Sequence, residues 1–122
     1  MPITPVVFFK EANGNVPFMD WFDRLPEHAK DQCLAKLTLL REKGHELRRP
    51  ASENLGEGIY ELRPKSRNVN YRVLYFFHAQ EAAVVSHGIQ KQQEKVPPKE
   101  IALAKARMAL FKANPRTHTF EE

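Results

Sequence analysis

The sequence predicts an α+β domain: a small antiparallel sheet, made of an N-terminal strand and a three-stranded meander, packed with an N-terminal helical pair and a C-terminal helix. Three observations predict it. Apolar residues recur with helical spacing in two consecutive stretches, Phe18, Trp21, Phe22, Leu25 and then Ala29, Cys33, Leu37, Leu40. Between Gly58 and Lys95 the pattern changes to three strand-like runs separated by connectors of only a few residues, which allow antiparallel pairing but no crossover. After Val96-Pro97-Pro98 a helical stripe returns, carried by Ile101, Ala104, Met108 and Phe111.

Each element has a local reason. Pro5–Lys10 (PVVFFK) is β-branched and aromatic, which suits a strand that joins the sheet at one edge. Asn13-Gly14 marks the following turn. Pro17 fits the first position of a short helix, where its missing N–H costs nothing. Pro26 opens the second helix, and Gly44, after Arg41-Glu42-Lys43, stops it with cations suited to the helix dipole. Residues 46–57 (ELRRPASENLGE) read as a loop. The strands follow at Ile59–Arg63, Tyr71–Phe77 and Ala82–Ile89, and then the alanine-rich helix Lys99–Lys112. The tail 114–122 contains Pro115 and lacks periodicity, so it is expected to be loose, and residues 1–122 are expected to form one domain.

Composition narrows the function classes. With 122 residues and a hydrophobic fraction of 42%, the chain is large enough for one domain with a real core and too small for two domains. The net charge of +4 permits a nucleic-acid or acidic-protein partner without requiring one. A single cysteine excludes an intramolecular disulfide, and its place on a helical apolar stripe favours a buried thiol over a nucleophile. One cysteine and no signal-like segment imply a cytoplasmic protein, and no run is long enough for a membrane partner. No metal is expected, because a Cys-rich zinc site is excluded and the histidines lack ligand spacing.

The cations within the strand runs are the distinctive feature. Strand alternation puts Tyr60 and Leu62 on one face and Ile59, Glu61 and Arg63 on the other. With helices covering one side, Arg63 falls on the open face, where it either solvates and pairs with Glu61 or meets a ligand. Arg72 sits in a strand apolar on both faces and needs an acid, a phosphate or the sheet's rim. His87 shares a face with Val85 and Ile89; periodicity alone favours a satisfied core histidine, and the functional alternative is a proton carrier. Arg63, Arg72 and Lys91 converging on one concavity fit a phosphate, which guanidinium forks match well. Tyr60 or Tyr75 can stack a base, and Lys65, Arg67 and Lys95 add cations nearby.

Four segments, Gly58-Ile59-Tyr60-Glu61-Leu62-Arg63, Asn70-Tyr71-Arg72-Val73-Leu74-Tyr75, His87-Gly88-Ile89-Gln90-Lys91 and Pro97-Pro98-Lys99-Glu100-Ile101-Ala102-Leu103-Ala104, in this order and spacing, resemble a RelE/HigB-type toxin, most closely the phage Gp49-like branch of that superfamily. The resemblance runs from Val6 to about Phe111. It implies a RelE-like fold and the toxin of a type II toxin–antitoxin system. It further implies a ribosome-dependent mRNA endonuclease (an mRNA interferase) that needs no metal or other cofactor. Its partners are then a cognate antitoxin of the helix-turn-helix kind, the ribosome and mRNA. By the same resemblance Arg63 and Arg72 are phosphate clamps, Lys91 the first lysine of a Phe-x-Lys-Lys pattern, His87 the acid/base group and Tyr75 a stacking or proton-handling ring. Ile89 and Gln92 depart from that pattern, and Gln92 removes a cation. Two other expectations remain: a non-enzymatic toxin that blocks a protein target, as gyrase poisons do, and a phage-derived interaction protein without nuclease activity. Arg63, Arg72, His87 and Lys91 in one cleft favour the nuclease; scattered over both faces they disfavour it.

Overall fold

The structure, a computed structural model, describes residues 3–92 and 95–121. Glu122, the end of the tail, lies outside them. The strands are β1 (Val6–Phe9), β2 (Ser52–Gly56), β3 (Ile59–Leu62), β4 (Lys65–Ser66), β5 (Val69–His78), β6 (Ala82–Gln90) and β7 (Thr119–Phe120). The helices are α1 (Pro17–Phe22), α2 (Glu27–Lys43) and α3 (Pro98–Ala113). The sheet has seven strands in the order β2-β3-β5-β6-β1-β7, with β4 pairing β5 off this path.

The fold is α+β, and the meander β3-β5-β6 is antiparallel as expected. The small antiparallel sheet is not what forms, however. The sheet is larger and mixed, because β1 pairs in parallel with β6, Val7 opposite Val84. Nor is β1 an edge strand, since β7 pairs antiparallel on its other side, Phe8 opposite Phe120. The unbroken apolar run Val6–Phe9 explains this: Val7, Phe8 and Phe9 are all buried, and a strand packed on both faces belongs inside a sheet. Part of the stretch read as loop is strand β2, paired to β3 through a turn over Gly56, Glu57 and Gly58, all with positive φ. The tail is tied down as well. His118 stacks on Phe9 at 4.9 Å, and Lys10 N–H donates to its carbonyl.

Helices cover both faces of the sheet, so the face expected to be open is not. One core joins α1 and α2 to Phe8, Leu62, Val73, Tyr75 and Val85. The other joins α3 to Phe9, Ile59, Leu74, Phe76 and Val84. The physical reason is that β5 is apolar on both faces, and each face needs cover; a fully buried side chain of this size contributes about 1.5–3 kcal/mol. Gly88 is required where it stands: a Cβ there overlaps the Trp21 ring, which lies directly on the β6 backbone. α2 stops at Gly44 (φ 54°), as its sequence predicts. Cys33 is buried in the helical layer, and burial pushes its thiol up to about 12. Among the described residues no helix is long and apolar enough to cross a membrane.

Candidate nucleic-acid interface

Glu61, Arg63, Arg72 and His87 keep the strand parity of Ile59, Leu74 and Ile89, and therefore project towards the α3 side. Beside α3 the sheet is not fully covered. A cleft of about 330 Å³ remains, lined by Glu53 and Asn54 of β2, Glu61, Arg63, Lys91, Lys95 and Ile101.

Arg63, half-buried, is clamped in this cleft. Its Nε donates to Glu61 Oε2 at 2.8 Å and its Nη2 to Glu53 Oε2 at 3.0 Å. Glu53 also accepts from Arg49, whose Nη2 lies 2.7 Å from Oε2. The Arg49 hydrogen bond holds the Glu53 carboxyl below its ordinary value. Arg72 lies behind Arg63. It is buried, its Nη1 donates to the Tyr71 carbonyl at 2.8 Å, and its Nε faces Glu61 Oε2 at 3.4 Å without closing a hydrogen bond. Burial pushes its pKa down from the ordinary arginine value, and Glu61 opposes the shift. Glu61 is thus shared by two guanidiniums, while its Oε1 has no partner among the described residues. No carboxylate among the described residues pairs with Lys91 or Lys95, and both residues line the cleft alongside Arg63. Three cations against two carboxylates in its lining leave the cleft positive, with the buried Arg72 behind it, and its low-dielectric walls concentrate that field.

His87 is on the same face but its ring does not line this cleft. Nε2 lies 3.0 Å from Glu100 Oε1 on α3, and Nδ1 lies 2.7 Å from Ser86 Oγ. Burial holds its pKa below the ordinary value, with Glu100 opposing. A neutral imidazole that donates from Nε2 to Glu100 and accepts the Ser86 hydroxyl proton at Nδ1 satisfies all three groups. Arg107 Nη1 in turn donates to the Ser86 carbonyl at 3.3 Å. Glu100 lines a neighbouring cavity of about 490 Å³ together with Lys91 and Trp21.

The remaining sequence-predicted residues lie elsewhere. Tyr60 and Tyr75 project to the opposite face, stacked on each other at 5.4 Å. Tyr75 is buried, its hydroxyl 2.6 Å from Ser52 Oγ, and burial pushes it up to about 12, so its ring has no face for a base. Tyr60 is half-buried and lines a third cavity. Lys65 and Arg67 are exposed on the β4–β5 hairpin and line neither cleft. The structure thus brings together Arg63, Lys91 and Lys95, sets Arg72 behind them, and keeps His87 apart. Two functional candidates had no role assigned from sequence. Glu61 had a visible signal, the same strand parity as Arg63. Glu100 had none, because only the docking of α3 brings it to His87.

Fold and site together define a small α+β protein that presents a positive, carboxylate-braced cleft beside its C-terminal helix. The sequence profile of the family described as phage derived protein Gp49-like (DUF891) matches residues 20–109, and the chain belongs to that family. The matched span includes every residue lining the central cleft. No curated protein matches the chain.

Proposed function

We propose that the protein is the toxin of a type II toxin–antitoxin system, of the RelE/HigB type, and that it cleaves mRNA on the ribosome. The observation that carries this reading is the cleft that Arg63, Lys91 and Lys95 line together. Membership of the Gp49-like family supports it. In the proposed reaction the ribose 2′-OH gives up its proton and its oxygen bonds to the adjacent phosphorus. The bond from phosphorus to O5′ breaks, and a proton is returned to O5′. The products are a 2′,3′-cyclic phosphate and a 5′-OH. Arg63, Lys91 and Lys95 hold the phosphate and stabilise the charge that grows on its oxygens. Glu61 and Glu53 fix the Arg63 guanidinium, so no reorganisation is needed as that charge appears. His87 enters through Glu100, with which it shares a proton. The Glu100 side chain is 21% exposed against 9% for His87, so the carboxylate is the end of the pair that meets solvent and substrate.

One observation favours a non-enzymatic reading, in which the same surface blocks a protein target: both ring nitrogens of His87 are already engaged. Induction without the antitoxin separates the two. The nuclease arrests growth and gives translation-dependent mRNA cleavage, and Arg63→Gln or Lys91→Ala relieves both. Growth arrest with intact mRNA contradicts it. Arg72→Ala is a poor probe, because it removes a buried partner of Glu61.

A further inference from the structure

We propose that the central cleft is the middle of a longer track for single-stranded RNA, with a base-stacking platform at each end. The proposal rests on the reading of that cleft as a phosphate site. Its own ground is that three cavities adjoin one another through shared lining residues. The first, about 620 Å³, contains His45, Arg48 and Tyr60 and shares Glu53 and Asn54 with the central cleft. The other, about 490 Å³, contains Trp21, Lys99 and Glu100 and shares Lys91 with it. The track therefore runs from the end of α2, over the edge strand β2, past Arg63 and Lys91, to the start of α3.

The two ends differ from the middle in chemistry. At the first, His45 is exposed and stacks on Phe77 at 3.7 Å, while Tyr60 meets the same Phe77 edge-on at 5.3 Å. Both rings are thus held on an aromatic floor, fixed in orientation before a ligand arrives. At the other end, the half-buried Trp21 ring lies on Gly88 and meets Tyr71 edge-on at 5.9 Å. Aromatic rings at two ends and cations between them suit a strand whose bases are unpaired and whose phosphates run through the middle. The rings decide between an RNA and an acidic peptide: unpaired bases stack on His45, Tyr60 and Trp21, whereas acidic side chains carry no π-face to stack.

The test uses the full chain and 2′-O-methyl RNA, which lacks the attacking hydroxyl, with binding of each length read by isothermal titration calorimetry. A hexanucleotide is expected to bind at least about tenfold more tightly than a dinucleotide. His45→Ala and Lys99→Glu, both at exposed positions, are each expected to weaken the hexanucleotide about tenfold and leave the dinucleotide unchanged. Arg63→Gln is expected to weaken both. Equal affinity for the two lengths, or a hexanucleotide indifferent to His45→Ala and Lys99→Glu, overturns the track while leaving the phosphate cleft standing. A length dependence that persists while Arg63→Gln changes nothing removes the cleft reading instead. Displacement of the hexanucleotide by polyglutamate of equal charge overturns the choice of RNA.

Discussion

Glu61 lies 2.8 Å from one guanidinium and 3.4 Å from another, and this sharing determines what each arginine can do. Arg63 is held at the cleft wall with donors to spare, whereas Arg72 is walled in and acts by fixing Glu61. Strand alternation gave the Glu61–Arg63 pairing, because parity within one strand is a local property. Whether Arg72 reaches a ligand was not legible, since that depends on what covers the strand. His87 shows the same limit. Its face could be read from spacing, but its partner Glu100 comes from another element. The His87 pair also sets a pH dependence. Burial lowers its folded pKa below 6.5, so in the window below that value the unfolded chain binds the proton first. The contribution of neutral His87 is therefore full above 6.5 and is lost as pH falls. Between pH 7 and about 5 the Tm of the wild type should fall more than that of His87→Gln, as thermal melts in matched buffers will measure; an equal fall removes the assignment of a neutral buried imidazole.

The elements that proved legible are those with a strong period or a sharp stop. α2 ends at Gly44, and the β3-β5-β6 meander follows its short connectors. Strand β2 was missed because Ser52-Glu53-Asn54 carries no apolar alternation; only its pairing with β3 makes it a strand. β7 was missed for the same reason, being two residues long and defined by β1. Its role is nevertheless structural: His118 is buried on Phe9, its ring nitrogen Nδ1 2.7 Å from the Lys10 carbonyl, and Phe120 packs on the α1–α2 core. Truncation after Asn114 should therefore destabilise the protein by roughly 2–4 kcal/mol in urea unfolding. An unchanged midpoint means that the tail only rests on the sheet.

At the scale of the whole molecule, the arrangement of layers makes the site. A sheet covered on one face leaves its cations spread over an open surface. Here α3 covers the second face, and the uncovered margin between α3, β2 and the end of β6 becomes a cleft. Both apolar faces of β5 were visible in the sequence, yet the expectation of a single helical layer led away from their consequence. The central claim is that this cleft cleaves RNA through phosphate-holding cations. The most direct measurement is end-group analysis of a defined mRNA on purified ribosomes incubated with the protein. The account predicts fragments with 2′,3′-cyclic phosphate and 5′-OH ends, formed at least about 10²-fold more slowly by Arg63→Gln. Intact mRNA with folded wild-type protein, or cleavage at the same rate by Arg63→Gln, contradicts it.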